Sequence, residues 1–320
     1  MPEAGARLTQ ALAGRPDLDL VLPVSNEPWC EEARLAPPFA YLTPTLLVEV
    51  AASVAAAAGP LRPAMAPASP VYAARRSALA RFPPDTPLAD VPAAGKGLRA
   101  AVDPGAYLHR YGAMDASPRE DLAARVAAGA AAVLDVGCSR GATAEALRAR
   151  GVRRIFGIEP DAEDAAAAAE VYDEVVCARL EDVAADFAGR FDAVLFGDVL
   201  EHLEDPSDAL ARVRPWLAPR GAVIASVPNL GHWAIVDDLI RGRFDYVPYS
   251  LLSGTHVRFF TRSTFVDLFE ASGFRVRALD TVVLPASAEG IARRDRLSAF
   301  PGASADLDVA EFIAVAEAER

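Results

Sequence analysis

Residues 133–141, VLDVGCSRG, decide how the rest of the chain is read. An apolar run ends in an acid, two glycines flank Cys138, Ser139 and Arg140, and the alanine-rich ATAEALRARG that follows has a helical pattern. A strand turning through glycines into a helix is the opening unit of a parallel α/β sheet, whose ligands lie beyond the carboxyl ends of the strands. Glycine suits such a loop because its backbone turns sharply and lets a ligand come close. A dinucleotide loop would read G-x-G-x-x-G, whereas here Gly137 is followed by Ser139 and Gly141, which weighs against NAD. Glu159 closes the next apolar run in IFGIEPD, where a ribose-binding acid is expected.

Outward from this loop, short apolar runs alternate with helical patterns: RRIFGIE, DAEDAAAAAEVY, EVVCA, FDAVLFGD, PSDALARVRPWLAPRG and AVIASVPN. The alternation predicts crossover connections and a parallel sheet with helices on both faces. SPREDLAARVAAGA predicts a helix with Ser117 as N-cap, Pro118 at its first position and Glu120 three after the cap. Near the end, TRSTFVDLFEASGF predicts a helix capped by Thr261 and stopped by Gly273. RVRALDTVVLP and LDVAEFIAVAEA predict an antiparallel pair at the sheet edge, with residues 287–306 as an excursion between them. The first hundred residues differ, because prolines recur between residues 60 and 92 and exclude long regular elements. They suggest a strand in LDLVLPV, a helix over residues 45–58 and another in VYAARRSALARF. The expected division is an accessory region over residues 1–106 and a main domain over 107–320.

The 320 residues are 52% hydrophobic and 24% charged, enough for a large core, and the formal charge of −12 disfavours nucleic acid and anionic membranes as partners. Cys30, Cys138 and Cys177 are odd in number and widely spaced, which fits neither a disulfide framework nor a zinc site and suggests the cytoplasm. The most apolar window, residues 46–61, contains Glu49 and ends in Gly59-Pro60, too short and interrupted to cross a bilayer. The first ten residues do not have the order of a secretory signal.

VLDVGCSRG, GIEPD, FDAVLFGDVLEHLEDP and GAVIASVPN, in this order and spacing, resemble the motif series of class I S-adenosylmethionine-dependent methyltransferases. The resemblance covers roughly residues 107–320. It implies a Rossmann-like, mostly parallel seven-stranded sheet with helices on both faces and its last strand antiparallel. The family's first motif, D/E-x-G-x-G-x-G, is met by Asp135, Gly137 and Gly141, with Ser139 replacing the middle glycine. The resemblance implies that Gly137, Cys138 and Ser139 face the amino-acid end of S-adenosylmethionine and that Asp135 helps hold it. Glu159 would accept both ribose hydroxyls, as a carboxylate with two acceptor oxygens can. Adenine would lie near Pro160, Asp161 and CARLED, where Arg179 stands in place of a frequent Asp and leaves Leu180 or Glu181 on the adenine side. Phe196, Gly197 and Asp198 would flank the methionine portion and the reactive methyl. Asp161 and Asp205 are equally readable as helix caps, and the cysteines as small buried residues.

Methyl transfer from a sulfonium is an in-line displacement, so the acceptor must be held close and aligned, and an oxygen acceptor also needs a base. Three of the four histidines follow the cofactor half: His202 in LEHL, His232 in NLGHW and His256 in GTHVRFFT. All three are candidate catalytic residues, while His109 reads as structural. Residues 239–261 are the candidate acceptor segment, with Arg243, Phe244, Tyr246, Tyr249, His256 and Arg258 offering aromatic faces and charge. VPNLGHW, RGRFDY and THVRFFT resemble methyltransferases associated with glycosyltransferases in polysaccharide assembly. Parts of the first hundred residues resemble a degenerate GT-A glycosyltransferase segment, although the D-x-D at Asp17–Asp19 precedes its strand. The expected activity is O-methylation of a sugar, glycan or other small hydroxylated acceptor, without a required metal, with a homodimer as the candidate assembly. The competing readings are a non-catalytic cofactor-binding module in a glycan-assembly complex and an NAD-type oxidoreductase.

Overall fold

A computed structural model describes residues 2–25, 33–35, 43–65, 69, 71–83, 86, 91–94, 97–108, 118–184, 187–247 and 251–319. The chain divides into two compact units, residues 1–112 with 285–287, and residues 113–284 with 288–320. The division falls later than residue 106 because Tyr107 and Leu108 still belong to a strand of the first unit.

In the first unit the elements are α1 (Pro2–Ala13), β1 (Leu20–Ser25), α2 (Pro44–Ala56), β2 (Arg62–Ala64), β3 (Ala73–Ala74), α3 (Arg76–Leu79), α4 (Val91–Ala94) and β4 (Ala100–Leu108). The strands form a sheet of order β2-β4-β1-β3 in which β1 and β4 run parallel. Alternation along β1 feeds two cores. Leu20, Leu22 and Val24 pack with Val50 and Val54 of α2, and Val21 packs with Leu8 and Leu12 of α1. The helix expected in VYAARRSALARF shrinks to α3, because Ala73 and Ala74 pair with β1 instead. The acids of the D-x-D serve the fold: Asp17 pairs with Arg15, and buried Asp19 accepts from the Arg99 N–H at 2.9 Å and from Arg81 at 3.1 Å.

The second unit runs α5 (Glu120–Ala123), β5 (Ala132–Val136), α6 (Ala144–Ala149), β6 (Arg154–Glu159), α7 (Ala162–Ala168), β7 (Glu174–Cys177), β8 (Phe191–Gly197), α8 (Pro206–Val213) and β9 (Leu217–Pro228). It continues with α9 (Trp233–Ile240), α10 (Arg262–Ala271), β10 (Phe274–Val283), α11 (Ala288–Ser298) and β11 (Val309–Ala318). The sheet order is β10-β11-β9-β8-β5-β6-β7. Strands β5 to β9 pair in parallel, and β11 lies antiparallel between β9 and β10, so the expected α/β sheet and its edge pair are both present. The order of strands reverses at β5, whose neighbours are β6 and β8, and the crevice beyond β5 and β8 is where such sheets bind ligands.

The central strands are apolar throughout because both faces are covered. Leu134, Phe156, Phe196 and Phe312 look to one side, where Phe265, Phe269 and Phe274 complete an aromatic core. Val133, Ile155, Ile224 and Ile313 look to the other, against Leu147 and Leu122. Asp161 caps α7 by accepting the Glu163 and Asp164 N–H groups, Asp205 caps α8, and Thr261 with Thr264 forms a capping box for α10. The helix expected from Ser117 is only the short α5, starting at Glu120, and Ser117 itself lies outside the described residues. Residues 288–298, within the expected excursion between the edge strands, are helical and pair Arg293 with Glu289 at 2.6 Å. No helix among the described residues is long and apolar enough to cross a membrane.

His232 caps α9: its Nδ1 accepts the Ala234 N–H at 3.2 Å, and the ring is 3% exposed. Burial lowers its pKa to about 4. An unfolded histidine titrates near 6.5, so as pH falls from about 6.5 towards 4 the unfolded state binds a proton that the folded state refuses. Stability is therefore lost on acidification, by about 2 kcal/mol at pH 5. His232→Asn keeps a capping acceptor and removes the titration, so its melting temperature should fall less than that of the wild type between pH 7 and pH 5. A constant difference between the two proteins across that range would contradict this account.

Candidate active site

The turn from β5 into α6 uses three residues with positive φ: Gly137 at 69°, Ser139 at 45° and Gly141 at 79°. A Cβ on Gly137 would come within 2.7 Å of Val199 Cγ2, and one on Gly141 equally close to Val171, so neither position accepts a side chain. Ser139 takes the left-handed conformation without that freedom, and its neighbours hold it there. Its N–H donates to Glu159 Oε2 at 2.8 Å, and its hydroxyl donates to Asp164 at 3.3 Å. Glu159 Oε1 accepts the Asp161 N–H at 3.0 Å. Each carboxylate oxygen retains a second acceptor site, so the pair can also receive two ribose hydroxyls.

Asp135 ends β5 beneath this loop, buried, accepting the Tyr172 hydroxyl at 2.7 Å. Burial pushes its carboxyl up to about 6, a shift that a nearby cationic ligand group would reverse. Cys138 is buried and its thiol is pushed well up by burial, so it is a packing residue and not a nucleophile. Pro160 is exposed at the end of β6. Leu180 is buried and lines a cavity with Arg179, Glu181, Leu203, Asp208 and Arg212.

At the tip of β8, Gly197 lies under Leu122 and Arg119, and Asp198 follows with φ 53°. The Asp198 carboxylate accepts the Ser226 hydroxyl at 2.7 Å and the Arg119 guanidinium at 2.7 Å. Arg119 also reaches Asp121 at 2.8 Å and Glu311, on β11, at 2.6 Å. Burial, with Asp198 nearby, raises the Glu311 carboxyl. Arg119, Tyr172, Ser226 and Glu311 were not singled out in the sequence. Arg119 sits in SPRED beside a recognisable helix start, the one signal that pointed to its neighbourhood.

The histidines separate. His232 is occupied as a helix cap, its Nδ1 already accepting a backbone N–H. His202 and His256 come together, ring centroids 4.7 Å apart and nearly perpendicular. Their Nδ1 atoms lie 3.2 Å from the carbonyl oxygens of Thr255 and Leu251 respectively. Burial, and then His202, lower the His256 pKa, which keeps the ring neutral at pH 7. Clustered with them is Glu201, fully buried, its carboxyl pushed well up by burial and by Asp198. The segment carrying His256 is tied down because the Val257 and Arg258 N–H groups both donate to the Glu201 carbonyl, at 2.9 and 3.0 Å. Arg258 also donates to the Glu204 carbonyl. In the candidate acceptor segment, Phe244 stacks edge-on with Tyr246 and Phe259, whereas Phe260 is buried in the aromatic core. Arg243 pairs with Asp245 at 2.5 Å; Tyr249 and His109 lie outside the described residues.

Comparison with known proteins adds the chemistry. The sequence profile of a methyltransferase domain matches residues 101–279, more than half of the chain. A ubiquinone biosynthesis O-methyltransferase of Chromobacterium violaceum is 32% identical over 131 residues, covering 39% of this chain and 55% of that protein. One of Nitrobacter winogradskyi is 31% identical over 194 residues, covering 58% of this chain and 68% of the relative. Among solved structures, an S-adenosylmethionine-dependent methyltransferase from Mesorhizobium loti superposes with a TM-score of 0.43 at 18% identity, over 61% of this chain and 95% of that one. The domain match, a sheet whose single reversed strand lies between β9 and β10, and a glycine turn tied to an acid on the next strand all agree: the chain belongs to the methyltransferase-domain family and is a class I S-adenosylmethionine-dependent methyltransferase.

Proposed function

We propose that this enzyme methylates a hydroxyl oxygen of a small acceptor, a sugar or another compact hydroxylated compound, at the crevice beyond β5 and β8. The observation that carries the reading is the His202–His256 pair, two imidazoles gathered after the tip of β8 beside the turn that would hold the methionine end of the cofactor, with burial lowering the His256 pKa. An alkyl transfer to oxygen releases a proton, and a neutral imidazole within reach takes it up. The name of the curated relatives, O-methyltransferases, supports oxygen as the acceptor atom. Phe244, Tyr246 and Phe259 supply the ring faces against which a sugar or phenolic ring packs. In this reading Asp135, Gly137, Cys138, Ser139, Gly141, Glu159, Pro160, Leu180, Gly197 and Asp198 surround S-adenosylmethionine, with Arg119 added to their number. Residues 1–106 act as an accessory region for packing, dimerisation or acceptor recognition.

Removing the carboxylate that fixes the loop should cost cofactor affinity before it costs stability. Glu159→Ala deletes acceptors for two backbone N–H groups and for the ribose, so calorimetry should find S-adenosylmethionine binding weakened by about 10- to 100-fold; unchanged affinity would refute the ribose assignment. His256→Ala should leave cofactor affinity within about twofold and lower kcat by about 10²–10⁴ on a hydroxylated acceptor. Because the His256 pKa is lowered, the wild-type rate should be flat above neutrality and fall only as pH drops below about 6.5. A variant with full turnover on every hydroxylated acceptor that the wild type uses would remove this histidine from the chemistry.

A further inference from the structure

Glu201 poses a problem that methyl transfer alone does not solve. It is 0% exposed, and neither carboxyl oxygen has a hydrogen-bond partner among the described residues. A buried carboxyl without partners is costly and rare, so its oxygens point to a ligand that proteins supply to such groups. The histidine rings beside it have the complementary property. A backbone carbonyl only accepts, so the contacts of His202 Nδ1 with Thr255 O and of His256 Nδ1 with Leu251 O place a hydrogen on each Nδ1. The lone pair of each ring is then on Nε2. An imidazole whose other nitrogen donates to a carbonyl is the arrangement seen in metal-ligating histidines.

One donor atom from each of Glu201, His202 and His256 lies within 4.8 Å of the others. Three donors at about 2.0–2.2 Å from a common ion stand roughly 3.3–3.8 Å from one another, so the cluster needs to close by about 1–1.5 Å at most, within reach of side-chain rotation. Asp198 is not one of the donors that lie together, and its oxygens are turned to Ser226 and Arg119. The scaffold is also in place: the loop bearing His256 hangs by two N–H groups from the carbonyl of Glu201 itself, so two of the three donors are fixed to one another through the backbone.

We propose that Glu201, His202 and His256 bind one divalent transition cation of the zinc, iron(II) or cobalt(II) kind, with its remaining positions open towards the crevice. Two imidazoles and one carboxylate select such ions over magnesium or calcium, which take oxygen donors. The part of the inference that concerns the acceptor rests on the oxygen-acceptor reading above: the ion would bind the hydroxyl and lower its pKa as a Lewis acid, so that the histidine pair acts through the metal. The binding of the ion does not depend on that reading.

The test uses the full-length protein, stripped with a chelator and titrated with cobalt(II) chloride while its visible ligand-field bands are recorded. One ion per chain should bind and resist a large excess of magnesium. Glu201→Gln, His202→Ala and His256→Ala should each weaken binding by at least about tenfold, while Glu204→Gln, at an exposed neighbouring acid, should not. Circular dichroism and S-adenosylmethionine titration of every variant establish that the fold is retained. No cobalt binding by the wild type, or equal binding by all three cluster variants in their folded state, overturns the site. If cobalt binds as expected but chelation leaves methyl transfer to a hydroxylated acceptor unchanged, the Lewis-acid role is overturned and direct proton uptake by the histidines stands. Cobalt binding with no S-adenosylmethionine binding would instead sink the oxygen-methylation reading and leave the metal site intact.

Discussion

The structure of the second unit depends on a backbone that bends the wrong way three times in five residues. Gly137, Ser139 and Gly141 all have positive φ, and the turn they make holds the end of β5 against the end of β6. Two of these conformations come without steric cost because glycine has no Cβ; the third, at Ser139, is maintained by Glu159 from the neighbouring strand. Loop and acid are thus one device. The carboxylate that would receive the ribose is the same one that shapes the wall facing the methionine portion, so the two halves of the cofactor site cannot be tuned independently.

Around that device the acids and bases are sorted by what holds them. Asp198 is committed to Ser226 and Arg119, and Asp135 to Tyr172, so each faces the crevice in a fixed orientation. Glu201 is committed to nothing among the described residues, and this separates it chemically from acids only a few residues away. Its backbone carbonyl, by contrast, anchors the segment that brings His256 in, so a single residue fixes that segment with its main chain while its side chain has no partner among the described residues.

Much of this was legible in the sequence, and the legible parts share a cause. The strand and helix alternation, the caps at Asp161, Asp205 and Thr261, the stop at Gly273 and the edge pair β10–β11 all follow from local rules: period, cap and apolar run. What escaped was nonlocal. Arg119 matters because it meets acids 79 and 192 residues away, and no spacing rule links such positions. His232 was a candidate from its place after a strand and beside Trp233, and that its Nδ1 caps α9 and its side chain is buried could be seen only in the fold. His202 and His256, 54 residues apart, were separate candidates that the fold makes one. The α11 helix was missed because its sequence carries five charged residues and a glycine, and its buried face, Gly290, Arg293 and Leu297, has a charged residue where an apolar stripe would be read. The first unit escaped in part because its prolines argued for loops, whereas its parallel pair β1–β4 gathers residues 80 apart into a sheet.

The reversed strand β11 has a temporal meaning. It threads between β9 and β10, delivers Glu311 to Arg119, and receives the Asn229 side chain on the Val309 carbonyl at 2.8 Å. These contacts come from residues 309–318, which leave the ribosome after every other strand of the sheet. A nascent chain therefore has its glycine turn long before it has the strand that steadies Arg119 beside it, and the crevice waits for the last-made strand of its own sheet.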